Sequence, residues 1–232
     1  MNMSSNPERK AREVVEACAD CDCCRPPMDP PCGVFAELYR LWDRERESAE
    51  PISAEALRRM VDLCNFCALC PCPNIRADLI EAKARFAARD GLGRSARLLQ
   101  DVERLARICG MFPKIVNQAA GGGFLESLLK KAAGIHPHSR LPAFPAESFD
   151  RWAAEKNLGR PPETGVERKI VYFAGCTGRF LFPEVARAAT EVLQHSGVSV
   201  HLPDQCCCGM PPFLEGDRGL ALKFASENIE RL

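Results

Sequence analysis

Apolar residues in the first half of the chain recur at helical rather than strand spacing. A short helix is predicted from Pro7 to Cys18, capped by Asn6 with Pro7 in its first turn. Between Val34 and about Glu47, Phe35, Leu38, Leu41 and Trp42 fall on one stripe, and Ser53 caps a helix carrying Leu57, Met60, Val61 and Cys64 along one side. Asn74 is expected to cap the next helix, which turns Ile75, Leu79 and Phe86 inward and ends near Gly91. Another runs from Ser95 to Cys109 with Leu98, Leu99, Val102, Leu105 and Ile108, and Gly110 stops it. Up to this point no strand is predicted.

The pattern then loosens. Gly121-Gly122-Gly123 predicts a hinge and Phe124 to Ala133 a short amphipathic helix. Pro137, Pro142, Pro145, Pro161 and Pro162 punctuate a polar connector running to Arg168. After it the period changes. Lys169 to Ala174 reads as an apolar strand, Gly175 to Gly178 as a turn, Pro183 to Ser196 as a helix with Val185, Ala189, Val192 and Leu193 inward, and Val198 to Leu202 as a second strand. Asp217 caps a last helix. Strand–helix–strand of this length predicts a parallel pair joined by a right-handed crossover. The expected fold is therefore mainly α with a small α/β part, divided into a helical domain (1–118), a hinge and Pro-rich connector (119–168) and a parallel-sheet domain (169–232).

Composition narrows the function classes. At 46% hydrophobic residues the 232-residue chain can bury a core, and its 31 Lys plus Arg against 31 Asp plus Glu leave no basic field for nucleic acid. No stretch approaches the roughly 18 apolar residues of a membrane span, and the polar start from Met1 to Ala11 does not read as a secretory leader. A cytoplasmic location is expected. Cysteine, at 14 residues, is the outlier. In a reducing compartment clustered thiols read as metal ligands or redox groups rather than disulfides.

Two knots stand out. Cys18, Cys21, Cys23 and Cys24 are followed by Cys32; Cys64, Cys67, Cys70 and Cys72 are closed by Pro73. Thiols at two-residue gaps ending in Cys-Pro are how a chain wraps a cubic iron–sulfur cluster, and in two-cluster ferredoxins the fourth cysteine of each run serves the other cluster. Two 4Fe–4S clusters are expected, one on Cys18, Cys21, Cys24 and Cys72, the other on Cys64, Cys67, Cys70 and Cys32, in a domain of the α-helical ferredoxin type. Met28 stands where the first run's own fourth thiol is expected, and Cys70 and Cys72 are one residue apart instead of three, so the fourth ligands are the open part of this assignment. Cys23 is an alternative to Cys24. The rival is a pair of zinc knots, since zinc also takes four thiolates.

Gly175-Cys176 and Cys206-Cys207-Cys208-Gly209 each lie just beyond the carboxyl end of a predicted strand, the edge where open parallel sheets bind ligands. If the strands are neighbours, these thiols face one crevice. Phe173-Ala174-Gly175-Cys176 with Cys207-Cys208-Gly209-Met210-Pro211 and Glu215-Gly216-Asp217 resembles the cysteine-rich (Cys-Cys-Gly, CCG) domain. That domain occurs in heterodisulfide reductase, in the iron–sulfur subunit of anaerobic glycerol-3-phosphate dehydrogenase, and in glycolate and lactate oxidation subunits. The order of helical ferredoxin, connector and cysteine-rich domain is also that of the family.

The resemblance implies that Cys176, Cys207 and Cys208 occupy the domain's catalytic and metal-ligating positions, with a third cluster or metal there; Cys206 has no counterpart. Family members usually carry a second repeat and a further Cys-x-x-Cys, so one partial repeat is expected here. The implied role is an electron-transfer subunit of an anaerobic-type oxidoreductase, between a flavin-containing dehydrogenase and a quinone or disulfide acceptor. Phe124 to Lys131 has the apolar and basic faces of a membrane-surface helix, which leaves contact with the inner face of the cell membrane or a quinone open, but packing against the ferredoxin region is the favoured reading of that helix. Two other classes compete: a zinc-stabilised interaction module, and a thiol–disulfide protein using Cys207 and Cys208.

Overall fold

The computed structural model describes residues 6–21, 23–28, 31–67, 69–140, 143–161 and 168–232. Pro142 and Pro162 of the expected connector, and the first residues of the chain, lie outside the described residues. The molecule is mainly helical with one two-stranded parallel sheet. By their contacts the residues form two compact units: Met1–Leu92 with Pro212–Arg218, and Gly93–Pro211 with Gly219–Leu232. Residues 93–118, which the sequence pattern groups with the first domain, make their contacts within the second unit. Among the described residues no helix is long and apolar enough to cross a membrane.

The first unit is built on α1 (Pro7–Ala19), the short α2 (Arg25–Met28), α3 (Gly33–Ser48), α4 (Ala54–Asp62) and α5 (Pro73–Asp90). Asn6 caps α1 by accepting the Arg9 N–H at 3.2 Å, with Pro7 at the start. The buried face of α1 is Ala11, Val14, Val15 and Cys18, and that of α4 is Ala56, Leu57, Met60 and Val61, with buried Cys64 next in the stripe. Each knot thus begins where the apolar stripe of a helix ends. The core adds Phe35, Leu38 and Tyr39 of α3 and Ile75, Leu79 and Phe86 of α5. The cap of α5 is Cys72 with Pro73 at its first position, not Asn74 as expected, because Pro73 already holds a helical φ and needs no N–H partner. Phe213 and Leu214 pack on this core, and Arg218 pairs with Glu81. Gly216 makes that seat possible: its φ is +88°, and a Cβ there would lie 2.8 Å from Ala84 Cα.

The second unit contains α6 (Arg94–Leu99), α7 (Val102–Gly110), α8 (Pro113–Ala120), α9 (Phe124–Ala133), α10 (Phe149–Glu155), β1 (Lys169–Val171), α11 (Gly175–Phe180), α12 (Pro183–His195), β2 (Ser199–His201), α13 (Met210–Glu215, its later residues in the first unit) and α14 (Arg218–Arg231). The single helix expected over 95–109 is two, because the Asp101 carboxylate accepts the Arg104 N–H at 3.0 Å and starts a new one. The expected connector holds a helix of its own, α10, capped by Ser148. The strands pair in parallel, Lys169 with Ser199, Ile170 with Val200 and Val171 with His201. Gly175 to Gly178 is not a free turn but the first part of α11. On α12 the buried positions are Pro183, Ala186 and Thr190, whereas Val185 and Val192, expected inward, are 63% and 65% exposed. The helix lies with its small residues down: Ala186 joins Phe149, Ala153 and Leu158 in the core, and Thr190 Oγ is tied to the Ala186 carbonyl at 2.9 Å.

Candidate metal centres

All 14 cysteines are unpaired, and they divide by position. In the first knot the Cys21 N–H reaches the Cys18 carbonyl at 3.2 Å and the Cys24 N–H reaches the Cys21 carbonyl at 3.3 Å. These two backbone bonds set the spacing of Cys18, Cys21 and Cys24. The second knot starts from the Cys64 N–H on the Val61 carbonyl at 3.1 Å. It is shaped by the Asn65 side chain, which accepts the Cys67 N–H at 3.2 Å, and by Phe66 at a φ of +58°. Cys32 and Cys72 sit elsewhere, as the N-caps of α3 and α5, where neither helix has a side-chain cap hydrogen bond. A helix N-terminus favours a thiolate.

Electrostatic reach shows which thiols are neighbours. Burial pushes the Cys18 thiol up to about 12, and the charges of Cys24, Cys21 and Cys72 push it the same way. Cys24 is raised by burial and then by Cys21 and Cys72. Cys70 is raised by burial and then by Cys32, Cys64 and Cys67. Cys72 is thus within electrostatic reach of Cys18 and Cys24, and Cys32 within reach of Cys64 and Cys70. Each set combines a cysteine ending a helix stripe, two from the knot, and one at the start of a distant helix. Cys70 also acts weakly on Cys18, so the two sets are close. Cys23 is exposed, and Cys109 is raised by burial alone, with no thiol beside it. Among the described residues no three His, Cys, Asp or Glu side chains stand at the mutual distances a single metal ion needs.

Crowded thiols with raised pKa values hold protons when no cation is present. The unfolded chain releases them near the ordinary thiol value of about 8.5, while folded Cys18 holds its own to about 12. Between these values the folded state binds more protons, so stability falls as pH rises. Metal-free protein is expected to lose about 1.4 kcal/mol per pH unit and per such thiol above pH ~8.5, read as a falling urea midpoint between pH 8 and pH 10. A flat midpoint would contradict the protonated state of this site.

Two features are not visible in the sequence. Tyr39 is 2% exposed, and its hydroxyl has no hydrogen-bond partner. Burial and the charges of Cys24, Cys18 and Cys21 raise its pKa to about 12, so it is a neutral donor facing the first thiol set. Beside the second set lie two cations: Lys83, whose charge draws the Cys64 pKa down against burial, and Arg76, which does the same at Cys70. An orphaned donor and two cations around grouped thiolates fit a group bearing negative charge and acceptor sulfurs.

In the second unit the Cys207 thiol donates to Cys176 Sγ at 3.9 Å, which lowers the Cys176 pKa and raises that of Cys207. Gln205, 2% exposed, links the two segments: its carbonyl accepts the Ala174 and Gly175 N–H groups at 2.9 and 3.1 Å, and its amide donates to the Tyr172 carbonyl at 3.2 Å. Asn228 accepts the Cys206 N–H and donates to the Cys207 carbonyl, both at 2.9 Å. Glu103 accepts the Cys207 N–H at 3.0 Å. Gly209, at a φ of +81°, lets α14 approach, since a Cβ there would meet the Ala221 carbonyl oxygen at 2.7 Å. Cys206 turns its thiol to the Phe224 carbonyl at 3.5 Å, and Cys208 is exposed. Of the expected cysteines, Cys176 and Cys207 meet.

Residues 170–232, which hold this pair of thiols, match the cysteine-rich (CCG) domain family. It is similar to iron–sulfur proteins. It is 36% identical over 70 residues (30% of this chain, 14% of the relative) to an uncharacterized iron–sulfur protein of Methanocaldococcus jannaschii. Over 136 residues (58% of this chain, 34% of the relative) it is 26% identical to one of the subunits of the anaerobic glycerol-3-phosphate dehydrogenase of Escherichia coli. Over 175 residues (73% and 28%) it is 26% identical to one of the subunits of the fumarate reductase (CoM/CoB) of Methanothermobacter marburgensis. The chain spans about a third or less of the length of these relatives. No solved structure matches it significantly.

Proposed function

We propose that this protein is an iron–sulfur electron-transfer subunit of an oxidoreductase, with one 4Fe–4S cluster on Cys18, Cys21, Cys24 and Cys72 and another on Cys32, Cys64, Cys67 and Cys70. The observation that supports this reading is that Cys72 acts electrostatically on Cys18 and Cys24, and Cys32 on Cys64 and Cys70, each across a long stretch of chain. When bound, each cluster would supply a one-electron carrier. The protein's part is to exclude water with the Val14, Val15, Leu38 and Met60 core and to offer the Tyr39 hydroxyl to one set and the Lys83 and Arg76 charges to the other.

The relatives support the choice of partner and acceptor. Subunits of a glycerol-3-phosphate dehydrogenase and of a CoM/CoB fumarate reductase support a redox partner that yields electrons in pairs, such as a flavin-containing dehydrogenase, and a quinone or disulfide acceptor. The Cys176–Cys207 contact supports a further metal or redox centre in the cysteine-rich domain, with Cys208 as its exposed third thiol. Anaerobically purified protein is expected to hold about eight iron and eight acid-labile sulfide atoms per chain and to give EPR signals after dithionite reduction. Colourless protein containing zinc alone would overturn the reading.

A further inference from the structure

One lysine is buried where burial is costly. Lys83 of α5 is 4% exposed. Its ammonium lies 3.4 Å from the Asp62 carbonyl, 3.4 Å from the Cys64 carbonyl and 3.5 Å from the Glu215 carboxylate. Cys64 is itself only 8% exposed, so little water screens the cation from the thiolate set on that side. The counter-charge arrives on the Pro212–Arg218 segment, which Gly216 allows to sit against Ala84 and which Arg218 ties to Glu81. At the first thiol set the corresponding buried polar group is the neutral phenol of Tyr39. A helix end needs no such arrangement: the last carbonyls of α4 could be met by water or by an exposed side chain.

Adding an electron to the second thiol set adds one negative charge and no atom. A fixed interior cation favours that state, and an adjacent carboxylate weakens the favour. We infer that Lys83 raises the electron affinity of the redox group held by Cys32, Cys64, Cys67 and Cys70, and that Glu215 is the counter-charge that sets how far. This rests on the cluster reading above, and it makes Lys83 and Glu215 tuning residues of one centre. Electrons entering the pair would then settle preferentially on the second set.

The test is an EPR-monitored redox titration of the full chain, with iron counted in parallel. Lys83→Met is expected to lower one of two midpoint potentials until the reduced fraction at fixed potential falls roughly tenfold, about 59 mV for one electron, with the other unmoved. Lys83→Arg should restore it, and Glu215→Gln should move the same midpoint upward. If Lys83 only closes α4, Lys83→Met lowers the melting temperature and leaves both potentials in place, which overturns the inference while the iron count stands. Where Lys83→Met loses iron, Glu215→Gln decides, and an unmoved midpoint overturns the inference. A parent protein without iron overturns both the cluster reading and this one.

Discussion

Alanine at Cys72 is expected to remove about half of the iron, leaving about four atoms per chain, and alanine at Cys32 to do the same. Pairs of substitutions separate crossed from uncrossed ligation. Cys72 lies two residues from Cys70 in sequence, yet its charge is felt at Cys18 and Cys24, while Cys32 is felt at Cys64 and Cys70. Cys18→Ala with Cys72→Ala therefore strips one set and should still leave about four irons. Cys72→Ala with Cys32→Ala touches both sets and should leave almost none. Non-additivity of this kind is the signature of residues acting through one shared centre. If each knot instead held its own metal, Cys72→Ala with Cys32→Ala would behave like Cys72→Ala with Cys18→Ala.

The helices of the first unit are legible in sequence because their apolar stripes are long and their starts are marked. Ala11, Val14, Val15 and Cys18, or Leu57, Met60, Val61 and Cys64, repeat at three and four residues, and Asn6 and Ser53 cap them. The start of α5 differs from its expected place at Asn74 because the fixed φ of Pro73 is a stronger signal than a polar side chain. The break at Asp101 is hidden inside an unbroken apolar period. On α12 hydrophobicity alone points the valines inward, but the helix approaches its neighbours through the smaller Ala186 and Thr190.

Within the site the thiols announce themselves by spacing, whereas their surroundings do not. Lys83, Arg76, Tyr39, Gln205 and Asn228 are ordinary helix or loop residues in sequence. Their roles arise from contacts such as Lys83 with Cys64, 19 positions apart, or Asn228 with Cys207, 21 apart. A carboxylate can be further still, as Glu103 is 104 positions from the Cys207 N–H it accepts. No local pattern encodes such pairs.

The largest loss of stability outside the iron sites is expected from Arg179→Met. Arg179 is 5% exposed and carries the polar contacts of the cysteine-rich loop. Its guanidinium holds Asp150 in two hydrogen bonds of 2.8 and 2.7 Å, donates to the Gln205 backbone carbonyl at 2.7 Å and lies 3.7 Å from Glu103. It also stacks at 4.8 Å over the Phe180 ring. Methionine keeps most of the apolar bulk but leaves the Gln205 backbone carbonyl without its donor and two carboxylates without their shared cation. Removing one partner of a buried pair costs about 3–5 kcal/mol, or roughly 10–20 °C for a unit of this size. Lysine should recover only part, since it cannot form the two-pronged contact with Asp150. Asp150→Asn in the Arg179→Met background should also recover part, by neutralising one stranded charge. The loss should appear in Trp152 fluorescence melts, with Trp42 replaced by phenylalanine to silence the first unit. The iron of the two thiol sets should be retained, because Asp150, Gln205, Glu103 and Phe180 all lie in the second unit with Arg179. An Arg179→Met protein that melts within a degree or so of its parent would show that Gln205, Asn228 and Glu103 hold the Cys176–Cys207 contact without it.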